Sequence, residues 1–398
     1  TISALEDGEI TITIPSSLNS TYATSLSYSK DKSEWMTTTV DDTEQIITIA
    51  VSEGENVYLK GIALQLCSDS GEGICINSTA NINASDNIMS LLYGDNFKDK
   101  ISFPEGSQFV FALLFNGNTN LINTENLILP VTTLAFYCYG GMFYGCTSLT
   151  NAPELPATTL APYCYNGMFY GCTSFITAPE LRATTLDEGC YLDMFSDCSS
   201  LTAAPDLPAT VLTESCYRSM FSGCTSLTTA SSLPATTLAS ECYAAMFYGC
   251  TSLTTVPDIP ATTLANYCCN SMFYGCTSFI TAPELRTTTL AEGCYNSMFS
   301  GCTALTTAPY LPATTLAFDC YSNMFYRCTS LTTAPKLPAT TLATGCYRSM
   351  FSGCTSLTTA PALPATTLEP ACYNAMFYGC TSLTTSPVLP ATTLVNNC

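Results

Sequence analysis

Residues 138–163 read CYGGMFYGCTSLTNAPELPATTLAPY, and this 26-residue phrase returns with small changes down to residue 398. Its anchor is the pair Met-Phe, which starts at Met142, Met168, Met194, Met220, Met246, Met272, Met298, Met324, Met350 and Met376 without a slip in period. A fixed period of this length predicts a solenoid, in which each unit buries its apolar edge only against its neighbours. Within one unit, Leu149, Ala152 and Leu155 lie in a Thr-rich stretch that Pro153 and Pro156 keep from being helical, so it reads as a short bent strand. The β-branched ATTLA that follows reads as a second short strand. Cys164, Met168, Phe169 and Cys172 are spaced 4, 1 and 3 apart, which predicts one or two helical turns closed by Gly171. The expected class is mainly β with short helices.

Working outward, the pattern changes before residue 138. The alternating runs EITITIP, QIITIAV and NVYLKGIAL are separated by Asp, Ser, Gly and Lys turns, which predicts an antiparallel β-sandwich over residues 1–85. FALLFNGNTNLINTENLILP aligns with the repeat when Phe115 is set on Phe143, which puts Asn118 where Cys146 stands. Residues 86–130 are therefore expected to be a degenerate capping repeat, and residues 131–398 the regular solenoid.

Hydrophobic residues make up 47% of the chain and charged ones only 11%, so the solvent face has to be largely Thr, Ser, Tyr and Asn. The formal charge of −20 argues against phosphate backbones as partners. The chain has no histidine, which removes Ser-His and Cys-His catalysis and the usual imidazole metal ligand. No apolar run is long enough to span a bilayer. The expectation is a protein without catalysis, cofactor or metal.

The frame TTL…CY..MF.GCTSLT..P.LP resembles the BspA-like leucine-rich repeats of bacterial surface proteins over residues 109–398. This chain differs from the commoner pattern in its 26-residue unit, in Met-Phe where Ala-Phe is usual, and in a second cysteine per unit. The resemblance implies a curved right-handed solenoid on an exported, often lipid-anchored protein, commonly behind an immunoglobulin-like domain. It implies a role in adhesion and surface binding, with no catalytic residue to carry over.

Of 24 cysteines, 11 form a column from Cys138 to Cys398 and 10 a second from Cys146 to Cys380, eight residues apart within a unit. The short paired spacings of zinc sites are absent apart from Cys268–Cys269. Disulfides eight residues apart remain open. Buried free thiols are the preferred reading, because Asn118 can replace a thiol that contacts backbone but not half of a bridge. Cys67 and Cys75, flanking SDSGEGI, are candidates for a separate hairpin disulfide.

Variation inside the array marks positions that packing leaves free. One stripe is Tyr144, Tyr170, Tyr248, Tyr274, Tyr326 and Tyr378, with Ser196, Ser222, Ser300 and Ser352 in the other coils. Tyrosine suits protein contacts and stacking on sugar rings, although such rings also simply cover an outer flank. A second stripe is Glu154, Glu180, Asp206, Asp258 and Glu284, read either as a solvated acidic edge or as a site for a basic partner or calcium. The residues ahead of the first cysteine, such as Phe136-Tyr137, Pro162-Tyr163, Asn266-Tyr267 and Phe318-Asp319, share no chemistry and read as a loop edge. The expected function is non-enzymatic binding of an extracellular protein or glycan by a monomer at the cell surface. The alternative is a structural spacer without a specific ligand.

Overall fold

The computed structural model describes all 398 residues, which fall into two compact units, Thr1–Leu201 and Thr202–Cys398. The first begins with β1 (Ile2–Ala4), β2 (Gly8–Ile14), β3 (Ala23–Ser29), β4 (Met36–Thr39), β5 (Gln45–Val51), β6 (Asn56–Ala63), β7 (Cys75–Ser78), β8 (Ile82–Ala84) and β9 (Asp86–Asn87). A four-residue helix α1 (Ser90–Tyr93), a 3₁₀ turn (Gly94–Asn96), β10 (Leu121–Asn123) and β11 (Leu127–Ile128) follow. One sheet runs β10-β8-β1-β6-β3-β4, a second β5-β2-β7, and β11 pairs with β9. The alternating sequence sets the faces: Ile10, Ile12 and Ile14 of β2 are buried while Glu9, Thr11 and Thr13 turn away from the core.

The junction between strands and repeats is continuous. β10 lies in the residue 86–130 segment, yet it pairs in parallel with β8, Leu121 opposite Ile82. Asn118 clamps the same junction, its amide donating to the Ile76 carbonyl at 3.0 Å.

The repeats contain neither the expected helical turns nor named strands. Residues 137–146 form a chain of turns whose hydrogen bonds alternate. The N–H groups of Gly140, Met142, Tyr144 and Cys146 donate to the carbonyl three residues back, at 3.0 to 3.2 Å. Those of Tyr139, Gly141, Phe143 and Gly145 donate at 2.7 to 2.9 Å to Cys164, Asn166, Met168 and Tyr170 of the next repeat. An α-helix would spend all these donors on residues four back and leave none for the neighbour. Every fourth residue makes this possible by sitting at positive φ: Tyr137, Gly141 and Gly145 in one coil, and Tyr267, Ser271 and Gly275 in another. The left-handed region costs an L-residue about 1–2 kcal/mol, so glycine dominates the third position, with Asp197 and Arg327 as exceptions.

The two Thr-rich stretches meet their neighbours through single parallel bridges, such as Thr133↔Thr159 and Thr159↔Thr185 in the first unit and Thr307↔Thr333 and Thr333↔Thr359 in the second. The prolines that bracket these stretches lack N–H donors, which keeps each ladder from lengthening into a strand.

Inside, like stacks on like. Phe115, Phe143, Phe169 and Phe195 form a column with ring centroids 5.4 to 5.7 Å apart. In the second unit Phe221, Phe247, Phe273 and Phe299 repeat it at 5.6 to 5.8 Å. A tyrosine column runs beside it, including Tyr139, Tyr165 and Tyr191 in the first unit. Cys269 occupies the tyrosine position of its coil and is fully buried, which accounts for the adjacent cysteines.

All 24 cysteines are free thiols, and only Cys75, Cys380 and Cys398 are partly exposed. In the second column the Sγ–H donates to the phenylalanine carbonyl of the preceding coil, 31 residues earlier for Cys146 to Phe115 at 3.0 Å and 29 earlier for Cys172 to Phe143 at 3.1 Å and Cys276 to Phe247 at 2.9 Å. Phe143 O also accepts from the N–H of Cys146 at 3.1 Å, so both lone pairs of that buried carbonyl are used. Cys67 and Cys75 point apart, Cys67 toward the Ser68 carbonyl and Cys75 toward that of Asn116. No helix is long and apolar enough to cross a membrane.

Candidate binding face

The turn segments bring the tyrosine stripe to the surface at Tyr144, Tyr248 and Tyr378. Tyr144 and Tyr170 stack at 4.7 Å with planes 3° apart, and Tyr248 and Tyr274 repeat that geometry. Tyr144 and Tyr248 keep an exposed edge, 44% and 41% accessible, and Tyr378 is 77% accessible. The stripe is thus two stacked pairs and two single rings, Tyr326 and Tyr378, rather than an unbroken ladder, and Ser196, Ser300 and Ser352 are buried at the same position. The Tyr170 hydroxyl is hydrogen-bonded to Asp197, which pushes its pKa up to about 12. Arg327 lies over the ring of Tyr326, 5.1 Å from its centroid.

Beside the Tyr248–Tyr274 pair a groove of about 340 Å³ is lined by Arg218, Glu241, Tyr248, Tyr267 and Asn270. Arg218 and Glu241 form an ion pair across it. The Tyr267 hydroxyl donates to Glu292 at 2.7 Å, and that bond raises its pKa. The groove offers aromatic edges, a guanidinium, a carboxylate and an amide within one small surface. The two residues ahead of each first cysteine, read from sequence as a loop edge, contribute Tyr267 to it.

The acidic stripe is partly paired. Glu154, Glu180, Asp206, Asp258 and Glu284 are all exposed, but three of them have arginine partners. Arg182 pairs with Glu180 at 3.0 Å, and Arg286 with Asp258 at 3.2 Å and Glu284 at 3.5 Å. Both arginines replace the proline of the usual Leu-Pro, a substitution visible in the sequence but unused in reading the charge. Arg348 pairs with Asp319 at 3.2 Å. Burial pushes the Asp319 carboxyl up, and Arg348 only partly offsets it. No group of three or more Cys, Asp or Glu side chains is placed to hold a metal ion.

A family model described as the BspA type leucine rich repeat region matches in six copies, over residues 118–244, 191–332 and 295–396. The chain belongs to this family. Together the matches span residues 118–396, so the repeats, and with them both tyrosine pairs and the groove, lie inside the family's region. No curated protein and no solved structure matches the chain significantly.

Proposed function

We propose that this BspA-type repeat protein is a non-enzymatic, monomeric cell-surface binding protein whose repeats form a right-handed solenoid displayed by an N-terminal immunoglobulin-like β-sandwich. The observation that carries the reading is the stacked pair Tyr248–Tyr274 beside the groove of Arg218, Glu241, Tyr267 and Asn270. Elsewhere the repeat surface carries many short Thr and Ser side chains, with exposed large side chains at Ile176, Val211, Ile280, Tyr310 and Phe318. Tyrosine supplies a large rigid contact at low entropic cost, and polar groups around it set orientation. An extracellular protein or glycan is the partner this chemistry suits. Repetition along the stack would add weak contacts into useful affinity. The arginine-screened acidic stripe is the weaker candidate, favouring a basic partner only around Glu154 and Asp206.

The test is a glycan and matrix-protein array probed with the parent chain and with the double variant Tyr248→Ala/Tyr274→Ala. Loss of the parent's strongest signals by about tenfold or more, the size expected when an interface anchor is truncated, supports the reading. Unchanged signals, or a parent that binds nothing, refute it in favour of a structural spacer.

A further inference from the structure

A second cleft, remote in sequence from the repeats, sits in the β region and has a different chemistry. It encloses about 370 Å³ among Lys32, Trp35, Tyr58, Lys60, Asn87 and Lys98. Three of the chain's 11 basic residues line this one cleft in a molecule of formal charge −20. Tyr58 and Lys60 reach it from alternate positions of β6, and the turn between β3 and β4 supplies Lys32 and Trp35.

The groups are held in place. Trp35 Nε1 donates to the Lys32 carbonyl at 3.1 Å. Lys60 Nζ lies 3.9 Å from the Trp35 ring centroid and is paired with Asp95 at 2.9 Å. Lys32 Nζ lies 4.1 Å from the Tyr58 ring and has no carboxylate partner. Lys98 has no partner in the fold. The Asn87 side-chain oxygen accepts from the Met89 N–H at 2.9 Å, and Asn87 lines the cleft. The lining also holds two carboxylates, Asp95, which is taken up by Lys60, and Asp86, which accepts from the Thr1 hydroxyl, so Lys32 and Lys98 are the ammonium groups left without an ion pair beside the aromatic walls.

We infer that this cleft binds a carboxylated saccharide unit. The carboxylate would pair with Lys32 and Lys98, the hydroxyls would meet Asn87 and Asp86, and the ring would lie against the aromatic walls of Trp35 and Phe97. The volume is at the small end of the range for ligand sites and suits one or two sugar rings, while long polyanions are opposed by the charge of the rest of the chain.

Trp35 is the only tryptophan, so its emission reports on this cleft alone. The full chain is titrated with a galacturonic acid trimer, its neutral galactose counterpart and an oligoglutamate peptide. The expected result is a saturable change in indole emission with the acidic sugar only, weakened by salt and reduced roughly tenfold by Lys98→Ala, the scale of one charge-assisted hydrogen bond. Lys98 holds nothing in the fold, so its loss does not confound the result with unfolding. Equal binding of the neutral trimer or of oligoglutamate, or no emission change and no heat of binding with any of them, overturns the assignment. The Tyr248→Ala/Tyr274→Ala variant should bind the acidic trimer as the parent does, which separates this site from the repeat face.

Discussion

Raising the pH should unfold the repeats, because their cores are built on thiols that must stay protonated. Cys216, Cys276, Cys346 and Cys354 are buried, and burial pushes each thiol up to about 12 from an ordinary value of 9.0. For an acid whose folded pKa is raised, the unfolded chain loses its proton first, so stability is complete below about pH 9 and falls as pH rises toward about 12. At pH 10 each such thiol withdraws about 1.4 kcal/mol, one pKa unit's worth, and the four together about 6 kcal/mol. That is comparable with the roughly 5–15 kcal/mol that hold a typical domain. Cys242, Cys250, Cys302, Cys320 and Cys328 shift in the same direction and steepen the loss. Tyrosines join only near and above about pH 10, so the thiols set the onset. The assay is circular dichroism together with thiolate absorbance, from neutral pH upward under reducing conditions. The two signals should change in one cooperative step between about pH 9 and 10.5 and recover on return to neutral. A chain that keeps its fold to about pH 11 in reductant, or whose thiolates appear gradually without unfolding, refutes the reasoning.

The same burial predicts that a thiol reagent applied to the native protein at neutral pH labels only Cys75, Cys380 and Cys398 quickly, and all 24 after denaturation. Extensive native labelling would mean an open core, and few labels after denaturation would mean disulfides. Gly275 sits at φ +70° with only ordinary contact distances around an added Cβ, so Gly275→Ala should cost about 1–2 kcal/mol from the backbone alone. Arg327→Gly, at φ +58°, should stabilise by up to about 1 kcal/mol, both read by denaturant unfolding. Arg286→Ala exposes Asp258 and Glu284 as free carboxylates yet should change stability by less than about 1 kcal/mol, because the pairs are largely solvated. Its visible effect should be stronger retention of a basic probe peptide, absent at high salt.

The period and the buried columns were legible because stacking identical units forces identical core residues at a fixed interval. Strand β2 was legible because its two-residue alternation of Ile with Glu and Thr has no helical reading, while β5 and β6 alternate less regularly and leave Ile46 and Ile62 exposed. The turn segments were misread for a specific reason. Cys164, Met168 and Cys172 satisfy the four-residue spacing of a helix, but here that spacing records backbone reversals at Tyr163, Gly167 and Gly171. The signal was present as small residues four apart, such as Ser219 and Gly223 or Ser349 and Gly353, and was blurred by Tyr163 and Arg327 in the same columns. The groove was hidden because Arg218 and Glu241 are 23 residues apart, three short of the period. A column-by-column reading does not pair positions that are offset between neighbouring coils. The Trp35 cleft was hidden for another reason, since it joins a turn, a strand and the segment after α1 without any motif.

The second cysteine follows from the hydrogen-bond pattern. When alternate N–H groups serve the next coil, each phenylalanine carbonyl receives one donor from its own turn and still has a lone pair facing the buried seam. A thiol from the following coil fills that position at about 3 Å, as Cys172 does for Phe143 and Cys276 for Phe247, while adding the packing of a small apolar side chain. Where the repeats meet the sheet there is no preceding phenylalanine to serve, and the acceptor is the Ile76 carbonyl of β7. There Asn118, a stronger and longer donor, takes the cysteine's place and keeps the same role. The cysteine column is in this sense a hydrogen-bonding device that tolerates full burial because the thiol is the least costly donor to bury. The stability of the repeats is thereby tied to the alkaline limit set by those buried thiols.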